Sequence, residues 1–291
     1  MEENLRNAIL QSISENNSSP EKFKDLHSVS GGCINEAAKF ITDKSDYFIK
    51  WNLKDDFPGM FYQEKHGLEA LQKAGGIVPK PILTGNSGIY DFIILEWVDF
   101  SSASNTYWEK LAIMLVSIHK NGNSHYGLDS NNYIGSLEQV NEFNEDWIDF
   151  FIKSRLEIQV QRAFNLGRLN VHDLKNFQNI YRKLPNLLPL ESPALLHGDL
   201  WSGNVMANEN GDPIIFDPAV YYGNREIELS FTHLFGGFHS QFYNVYNELF
   251  PIENGFENRI PIYNLYPLLV HVNLFGGAYI NQVQQIIKKF K

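Results

Sequence analysis

The sequence is poor in cysteine, in long apolar runs and in positive charge. Cys33 is the single cysteine among the 291 residues, so no disulfide can form within the chain. No apolar run reaches membrane-spanning length, and the N-terminal segment MEENLRNAILQSISEN lacks the apolar core of a signal peptide. The net charge is −10. Because an acidic surface repels nucleic acid and anionic lipid, we expect neither nucleic acid nor membranes as partners. The lone cysteine and the polar N-terminal segment favour a cytoplasmic protein.

The residue pattern divides the chain into a β-rich first part and a helical second part. An amphipathic helix over residues 3–15 precedes segments typical of strands, FKDLHS, AAKFIT, YFIKW, PILTG and YDFIILE, with a helix predicted in FYQEKHGLEALQKA. The nearly apolar YDFIILE is expected to be a central strand. Later segments have helical spacing. We therefore predict an α+β fold with a small lobe over residues 1–98, a larger lobe over residues 99–291, and a cleft between them.

Three polar residues in LLHGDLWSGNVMANENGDPIIFDPA predict a catalytic site. Asn204 and Asp217 flank a hairpin predicted at NENGDP, which would bring them together, and Asp199 lies on the loop just before. Amide and carboxylate oxygens suit Mg²⁺, which completes its shell with water and phosphate oxygens. A nearby carboxylate that accepts a hydroxyl proton completes the set needed for phosphoryl transfer.

The first lobe contains matching parts in the order found in protein kinases. Gly31 and Gly32 lie between two predicted strands, where backbone amides could approach phosphate oxygens. Lys50 lies in a strand as a candidate phosphate-binding cation, and Glu64 lies in the next helix, where it could orient that lysine. A glycine loop, strand lysine, helix glutamate, D-x-x-x-x-N and metal-binding aspartate follow one another in the kinase signature.

Each part alone has a simpler explanation. A Gly-Gly pair is common in hairpin turns, a strand lysine is commonly solvated, and Asp217 precedes a proline as many turn residues do. The ordered set favours the kinase interpretation. His197, Arg225 and Glu228 are interpreted as residues that anchor the catalytic loop rather than as catalysts.

The sequence resembles the fructosamine (ketosamine) kinase family, within the kinases similar to aminoglycoside phosphotransferases. HGDLWSGN is the most specific motif, and SGGCINEA, FYQEKHGLEAL, YGLDSNNYIGSLEQVNEFNEDWIDFFIKSRLEIQ and YPLLVHVNLFGGAYI are similar to the same family. The resemblance covers most of the chain, from about residue 25 to residue 285. It implies a protein-kinase-like fold and ATP-dependent phosphorylation of the 3-hydroxyl of a ketosamine. It also implies a role in repairing glycated amines, either small molecules or protein lysines.

The resemblance also implies roles for individual residues in the two lobes. Asp199 matches the catalytic base, Asn204 and Asp217 match the Mg²⁺ ligands, and Lys50 and Glu64 match the lysine–glutamate pair. By this resemblance, the small lobe would bind the nucleotide, and the larger lobe would bind the substrate and carry out catalysis.

The hinge is assigned from its position in the chain, and the substrate site from the composition of two segments. Glu96, Trp97 and Val98 fall where the family holds adenine through backbone groups. Trp201 could line the sugar site, although a core role explains it equally well. Asn132 is a further candidate, together with Gln139, because both lie in a polar segment long enough to face the substrate.

The glycine loop departs from many kinases because two glycines are followed by Cys33. A small residue that fits a tight turn is the simpler explanation. The alternative is a redox-sensitive nucleotide loop, in which a disulfide between two copies of Cys33 would convert a monomer into a dimer.

Two other functions are consistent with the sequence. One is a kinase of the same fold that acts on an aminoglycoside, choline or a sugar, since an acidic surface suits any cationic substrate. The other is a nucleotide-binding pseudokinase, although every catalytic position is filled.

Overall fold

The computed structural model describes residues 1–29 and 34–290. Gly31, Gly32 and Cys33, for which a phosphate loop and a redox-sensitive thiol were expected, lie outside the described residues, and those expectations remain predictions.

The first part of the chain forms a five-stranded antiparallel sheet with strand order β1-β2-β3-β5-β4. Its strands are β1 (Phe23–Ser28), β2 (Glu36–Thr42), β3 (Asp46–Leu53), β4 (Pro81–Ser87) and β5 (Tyr90–Glu96). The apolar β5 lies between β3 and β4 and pairs with both, which confirms its expected interior position.

Two helices cover opposite faces of this sheet. Side chains of β5 alternate, because Phe92 and Ile94 belong to one core cluster whereas Ile93 and Leu95 belong to the other. Helix α1 (Glu3–Asn16) packs into the first cluster through its apolar stripe. Helix α2 (Met60–Lys73) packs into the second, which continues into the helical part of the molecule. The sheet is therefore anchored to the rest of the chain through the face that α2 covers.

The helical part begins after a short connection. Its first elements are α3 (Tyr107–His119), β6 (Asn132–Ile134), β7 (Leu137–Gln139), α4 (Trp147–Phe150), a π-helix (Phe151–Glu157), α5 (Ile158–Asn165) and α6 (Val171–Leu187). The polar segment expected to be a substrate-facing loop contains instead the β6–β7 hairpin, and this difference changes the role of its amide side chains.

The candidate catalytic residues lie among short strands. These elements are β8 (Ala194–Leu196), a 3-10 turn (Ser202–Asn204), β9 (Val205–Ala207), β10 (Pro213–Ile215) and β11 (Tyr221–Gly223). β9 and β10 pair antiparallel with Val205 opposite Ile215, which confirms the hairpin predicted at NENGDP. Helices complete the chain: α7 (Arg225–Phe231), α8 (Ser240–Leu249), α9 (Phe256–Tyr263), α10 (Leu265–Phe275) and α11 (Tyr279–Lys289).

The sheet ends at Glu96, and the next helix begins at Tyr107. This arrangement agrees with the expected α+β class, whereas the exact division at residue 98 remains a prediction because one apolar cluster extends across it. None of the described helices combines the length and apolar character needed to cross a membrane.

Candidate active site

The loop that carries Asp199 is built around a residue that must be glycine. Gly198 has a φ of 85°, and a Cβ placed there would lie 1.9 Å from the carbonyl oxygen of Ala219. The loop therefore runs directly against the chain that leads away from Asp217. This close approach brings two of the predicted functional residues, which are far apart in sequence, to one place.

His197 fixes the backbone of this loop, as predicted. Its buried ring donates from Nε2 to the carbonyl oxygen of Phe216 over 3.0 Å, and Nδ1 accepts the backbone N–H of Asp199 over 3.3 Å. One donor and one acceptor are what a neutral imidazole supplies. Burial lowers the pKa of His197, which agrees with this neutral form.

Glu228 anchors the loop from below, also as predicted. Its carboxylate accepts the backbone N–H groups of His197 over 3.1 Å and of Gly198 over 2.7 Å. His119 Nε2 lies 2.9 Å from the same carboxylate. Burial opposes ionisation, but the hydrogen bonds that the carboxylate accepts, chiefly the one from His119, lower the pKa of Glu228. The carboxylate of Glu228 is therefore charged, and its oxygens accept hydrogen bonds from the backbone of the loop.

Arg225 does not have the predicted role. Its guanidinium bonds directly to Glu191, with Nη2 2.8 Å from Oε1, and to the carbonyl oxygens of Phe250 and Pro251. It therefore joins the start of α7 to two connecting segments and has no direct bond to the catalytic loop among the described residues.

Asp199 and Asn204 are held together. Asn204 Nδ2 donates both to the carbonyl oxygen of Asp199 and to its Oδ2, each over 2.8 Å. Burial is the main reason that the pKa of Asp199 is raised to about 8 in the ligand-free chain. The negative charges of Asp217 and Glu228 add to this rise, whereas the bond from Asn204 opposes it.

Lys50 joins two carboxylates that come from different elements. Its Nζ lies 2.8 Å from Oε1 of Glu64 on α2 and forms an ion pair with Asp217, which follows β10. Burial opposes the charge of Lys50, but the two carboxylates overcome this effect and raise its pKa. Burial also raises the pKa of Glu64. The structure therefore brings Lys50 and Glu64 to the same place as the candidate metal ligand.

The hinge leaves backbone groups available to a ligand. Glu96 is tied to Lys80 through its backbone N–H and its carboxylate. Trp97 turns its indole N–H to Asp99 over 2.8 Å. The backbone groups of Trp97 and Val98 form no hydrogen bond within the part of the chain that the structure describes. An adenine ring recognised through main-chain groups would fit this connection.

The donor set fits Mg²⁺ better than a transition metal. Within residues 1–29 and 34–290, no group of three His, Cys, Asp or Glu side chains could hold a metal ion. Asn204 and Asp217 nevertheless lie on adjoining ends of the β9–β10 hairpin, where Phe216 donates its backbone N–H to the carbonyl oxygen of Asn204. Asn204 Oδ1 and Asp217 Oδ2 accept no hydrogen bond from a described residue. Two hard oxygen donors, with phosphates completing the shell, are typical of Mg²⁺ in kinases.

An aromatic wall lies beside the catalytic loop. The partly exposed Trp201 packs edge-on against Phe235, with ring centroids 5.5 Å apart, and Phe235 lies 4.7 Å from the ring of His271. Gly203 allows this packing because a Cβ there would lie 2.3 Å from the ring of Trp201. Sequence reasoning missed Phe235 and His271, since only the fold brings them next to HGDLWSGN.

Asn132 does not reach this wall. It is 4% exposed, and its Nδ2 donates to the carbonyl oxygen of Val220 over 2.8 Å. The structure therefore contradicts the predicted contact with substrate, because the amide is buried and already bonded within the protein. Gln139, the other amide considered for sugar recognition, is 2% exposed and is unavailable for the same reason.

Solved structures show that the chain has a kinase-like fold. A thermostable mutant of the aminoglycoside phosphotransferase APH(4)-Ia superimposes with a TM-score of 0.64 over 96% of this chain and 98% of that one, at 15% identity. A crystal structure from Haemophilus somnus, assigned as a fructosamine-3-kinase, superimposes with a TM-score of 0.88 at 29% identity, covering 97% of this chain and 96% of that one. The predicted kinase-like fold is confirmed.

The chain belongs to the fructosamine kinase family, whose model matches residues 5–291. A Synechocystis protein assigned as a ketoamine kinase is 38% identical over 285 residues, which cover 97% of this chain and 95% of that protein. The chloroplastic protein-ribulosamine 3-kinase of Arabidopsis thaliana is 37% identical over 278 residues, covering 91% of this chain and 82% of that protein. The family inferred from HGDLWSGN is thereby confirmed.

Replacement of the carboxyl of Asp199 is expected to stabilise the ligand-free protein. Because folding raises the pKa of Asp199 from its ordinary value of 3.8 to about 8, the stability of the folded chain falls as pH rises between these two values and stays low above them. Asp199→Asn removes the charge of the carboxylate, so its gain in melting temperature should be larger at pH 8.5 than at pH 6. Thermal unfolding without nucleotide measures it, with Asp55→Asn at an exposed turn as the control. An equal gain at both pH values would contradict the burial of this charge.

Loss of the Glu228 charge is expected to loosen the catalytic loop. Glu228→Gln leaves a donor group facing backbone N–H groups, and it should lower the free energy of unfolding by about 1–3 kcal/mol. Turnover per folded molecule should also fall. The matched control is Glu226→Gln, because Glu226 lies buried on the same helix but pairs with Arg259 instead of the loop. The control should lose stability and keep turnover; equal turnover in both variants would contradict the anchoring role.

Proposed function

We propose that this chain transfers the γ-phosphoryl group of ATP to the 3-hydroxyl of a ketosamine, formed on a small amine or on a protein lysine. The observation that carries the proposal is the set of contacts that joins Asp199 to Asn204, and Asp217 to the Lys50–Glu64 pair, in a chain that belongs to the fructosamine kinase family. The Synechocystis relative is named a ketoamine kinase, and the Arabidopsis thaliana relative is named a protein-ribulosamine 3-kinase.

The small lobe would hold the nucleotide. The unpaired backbone groups of Trp97 and Val98 provide main-chain recognition of adenine, and Lys50 provides a cation for the phosphates. Glu64 orients that cation from α2. Asn204 and Asp217 would hold Mg²⁺, which neutralises phosphate charge during phosphoryl transfer.

Asp199 would accept the proton of the attacking hydroxyl. As the substrate oxygen forms its bond to the γ-phosphorus, the bond between that phosphorus and the bridging oxygen of ADP breaks, and the hydroxyl proton passes to Asp199 Oδ. Asn204 keeps this carboxylate in place through its two bonds to Asp199. Glu228 and His197 fix the backbone on which the carboxylate is mounted. The products are ADP and a ketosamine phosphate.

Trp201 supports the choice of a sugar-like substrate. Its partly exposed ring lies two residues beyond Asp199 and is held edge-on by Phe235. Aromatic faces bind the apolar C–H surfaces of sugars, so this ring could orient a ketose whose hydroxyl faces Asp199. The net charge of −10 favours approach of a substrate that carries an amine.

A substrate panel tests the reaction. ADP formation should depend on ribulose-, fructose- or erythrulose-lysine and be absent with an aminoglycoside, choline or free hexose. Asp199→Asn should lower turnover by about 10²- to 10⁴-fold, the usual contribution of a general base. Binding of ADP by calorimetry should remain, which separates loss of chemistry from loss of folding.

Several outcomes would contradict this proposal. Turnover of the Asp199→Asn variant near that of the wild type would overturn the base assignment. If the wild-type protein phosphorylates choline or an aminoglycoside and no ketosamine, the proposed substrate class is wrong. ADP binding without phosphoryl transfer to any compound of the panel would favour a pseudokinase.

Truncation of Trp201 tests the sugar-binding wall. Trp201→Ala should raise the KM for a ketosamine by about 3- to 10-fold, the value of one aromatic contact, and leave the KM for ATP unchanged. Trp201→Phe retains a ring and should show a smaller effect. Equal changes in both KM values would indicate that the ring supports the loop rather than the substrate.

A further inference from the structure

The β6–β7 hairpin presents two buried amides to the segment that follows Asp217. Asn132 and Gln139 are paired across the hairpin, and Gln139 Nε2 donates to Asn132 Oδ1 over 2.8 Å. Asn132 Nδ2 also donates to the carbonyl oxygen of Val220 over 2.8 Å, and Gln139 Nε2 donates to that of Ala219 over 3.0 Å. Two consecutive carbonyls near the candidate metal ligand are therefore held by side chains of one hairpin.

The surrounding bonds allow these amides one orientation. Tyr266 donates its hydroxyl to Gln139 Oε1 over 2.7 Å, and Asn141 Nδ2 donates to Asn132 Oδ1 over 3.0 Å. Arg155 Nη2 in turn donates to Asn141 Oδ1 over 2.7 Å. Rotating Asn132 by half a turn would place its N–H groups against the donors of Gln139 and Asn141. Rotating Gln139 would place its Oε1 against two acceptors, Asn132 Oδ1 and the carbonyl oxygen of Ala219. The donors that reach Ala219 and Val220 are therefore set by residues one step farther away.

Burial of this polar network costs free energy, because its groups lose their contacts with water. Arg155 is fully buried, and its guanidinium lies 3.9 Å from the ring centroid of Tyr221, yet it forms no ion pair with a described carboxylate. Buried polar groups commonly give no more stability than apolar side chains of the same shape. Stability alone therefore does not account for the network, whereas the backbone geometry that it sets does.

Asp217 is the residue that requires this geometry. Its φ of 56° lies in the left-handed region, which is unfavourable for a residue with a side chain and persists where neighbouring contacts fix it. On the N-terminal side, Phe216 is bonded to Asn204 and His197. On the C-terminal side, Ala219 donates its backbone N–H to the carbonyl oxygen of His197 over 2.8 Å. The hairpin amides complete the fixation on that side.

We propose that Asn132 and Gln139 are positioning residues for phosphoryl transfer, which hold the backbone after Asp217 so that its carboxylate can bind the metal of the nucleotide complex. Arg155, Asn141 and Tyr266 hold the two amides. The assignment rests on the proposed function, since it concerns the metal ligand of that reaction. It replaces the substrate contact predicted for Asn132 with an indirect role in metal binding.

The replacement of Asn132 by leucine tests the assignment. Asn132→Leu keeps the approximate shape and removes the donor to Val220. Calorimetric titration should show affinity for Mg–ADP lowered about tenfold, the scale expected when a buried carbonyl loses its partner. Affinity for ADP in EDTA should be unchanged, because the hinge does not depend on Asp217. Amide hydrogen exchange over residues 217–223 should become faster.

The same substitution at another buried amide is the control. Asn273 is 7% exposed and donates Nδ2 to Gln159 on α5, with no bond to the segment after Asp217. Asn273→Leu should lower the melting temperature and leave both the Mg–ADP to ADP affinity ratio and exchange over residues 217–223 unchanged. If Asn132→Leu does not fold, Tyr266→Phe removes one hydroxyl that orients Gln139 and should shift the same ratio less strongly.

The outcomes separate this assignment from the proposed function. A folded Asn132→Leu or Tyr266→Phe variant with the wild-type affinity ratio and unchanged exchange overturns the positioning role. If Asn273→Leu changes the affinity ratio and the exchange as much as Asn132→Leu does, the effect is general destabilisation, and the positioning role is again overturned. Wild-type protein that binds Mg–ADP but phosphorylates no ketosamine overturns the proposed substrate alone, and the affinity ratios still decide the positioning role.

Discussion

The contact on which the site depends is the ion triad that the buried Lys50 forms with Glu64 and with the more exposed Asp217. Lys50 comes from the sheet, Glu64 from the helix that covers it, and Asp217 from the hairpin of the helical part. A buried ammonium is unfavourable unless carboxylates surround it, and removal of one partner of such a group leaves an uncompensated charge. The triad therefore links correct placement of the two lobes to correct placement of the groups that would bind nucleotide phosphates and metal.

The backbone is tightly constrained at two positions of the candidate site, next to Asp199 and at Asp217. Gly198 has no side chain because Ala219 occupies the space, and Asp217 has a left-handed backbone although it is not glycine. Both segments are fixed by side-chain bonds to backbone groups, from Glu228 to the loop that carries Asp199 and from Asn132 to the segment after Asp217. Loops positioned in this way can carry catalytic groups with the precision of regular elements.

Much of the fold and of the site was accessible from the sequence because local patterns determine it. Alternation and apolar content predicted the strands and placed β5 in the sheet interior, and NENGDP predicted the β9–β10 hairpin. The residue order predicted the pair Lys50–Glu64, which the structure places in contact. Arg225 was assigned wrongly because its partner, Glu191, is distant in sequence and an arginine beside a motif does not reveal its partner.

The β6–β7 segment shows why other parts of the candidate site could not be predicted from the sequence. Its composition, rich in Asn, Gln and Glu, is typical of a solvated loop, and Asn132 was therefore assigned to substrate. Burial of such amides is possible only because the segment after Asp217 offers two carbonyls at matching spacing, a property of the assembled fold. Since a backbone carbonyl has no residue-specific signature, sequence patterns cannot reveal which polar side chain it will bind. The residues closest to chemistry are therefore easier to predict than the residues that hold them in place.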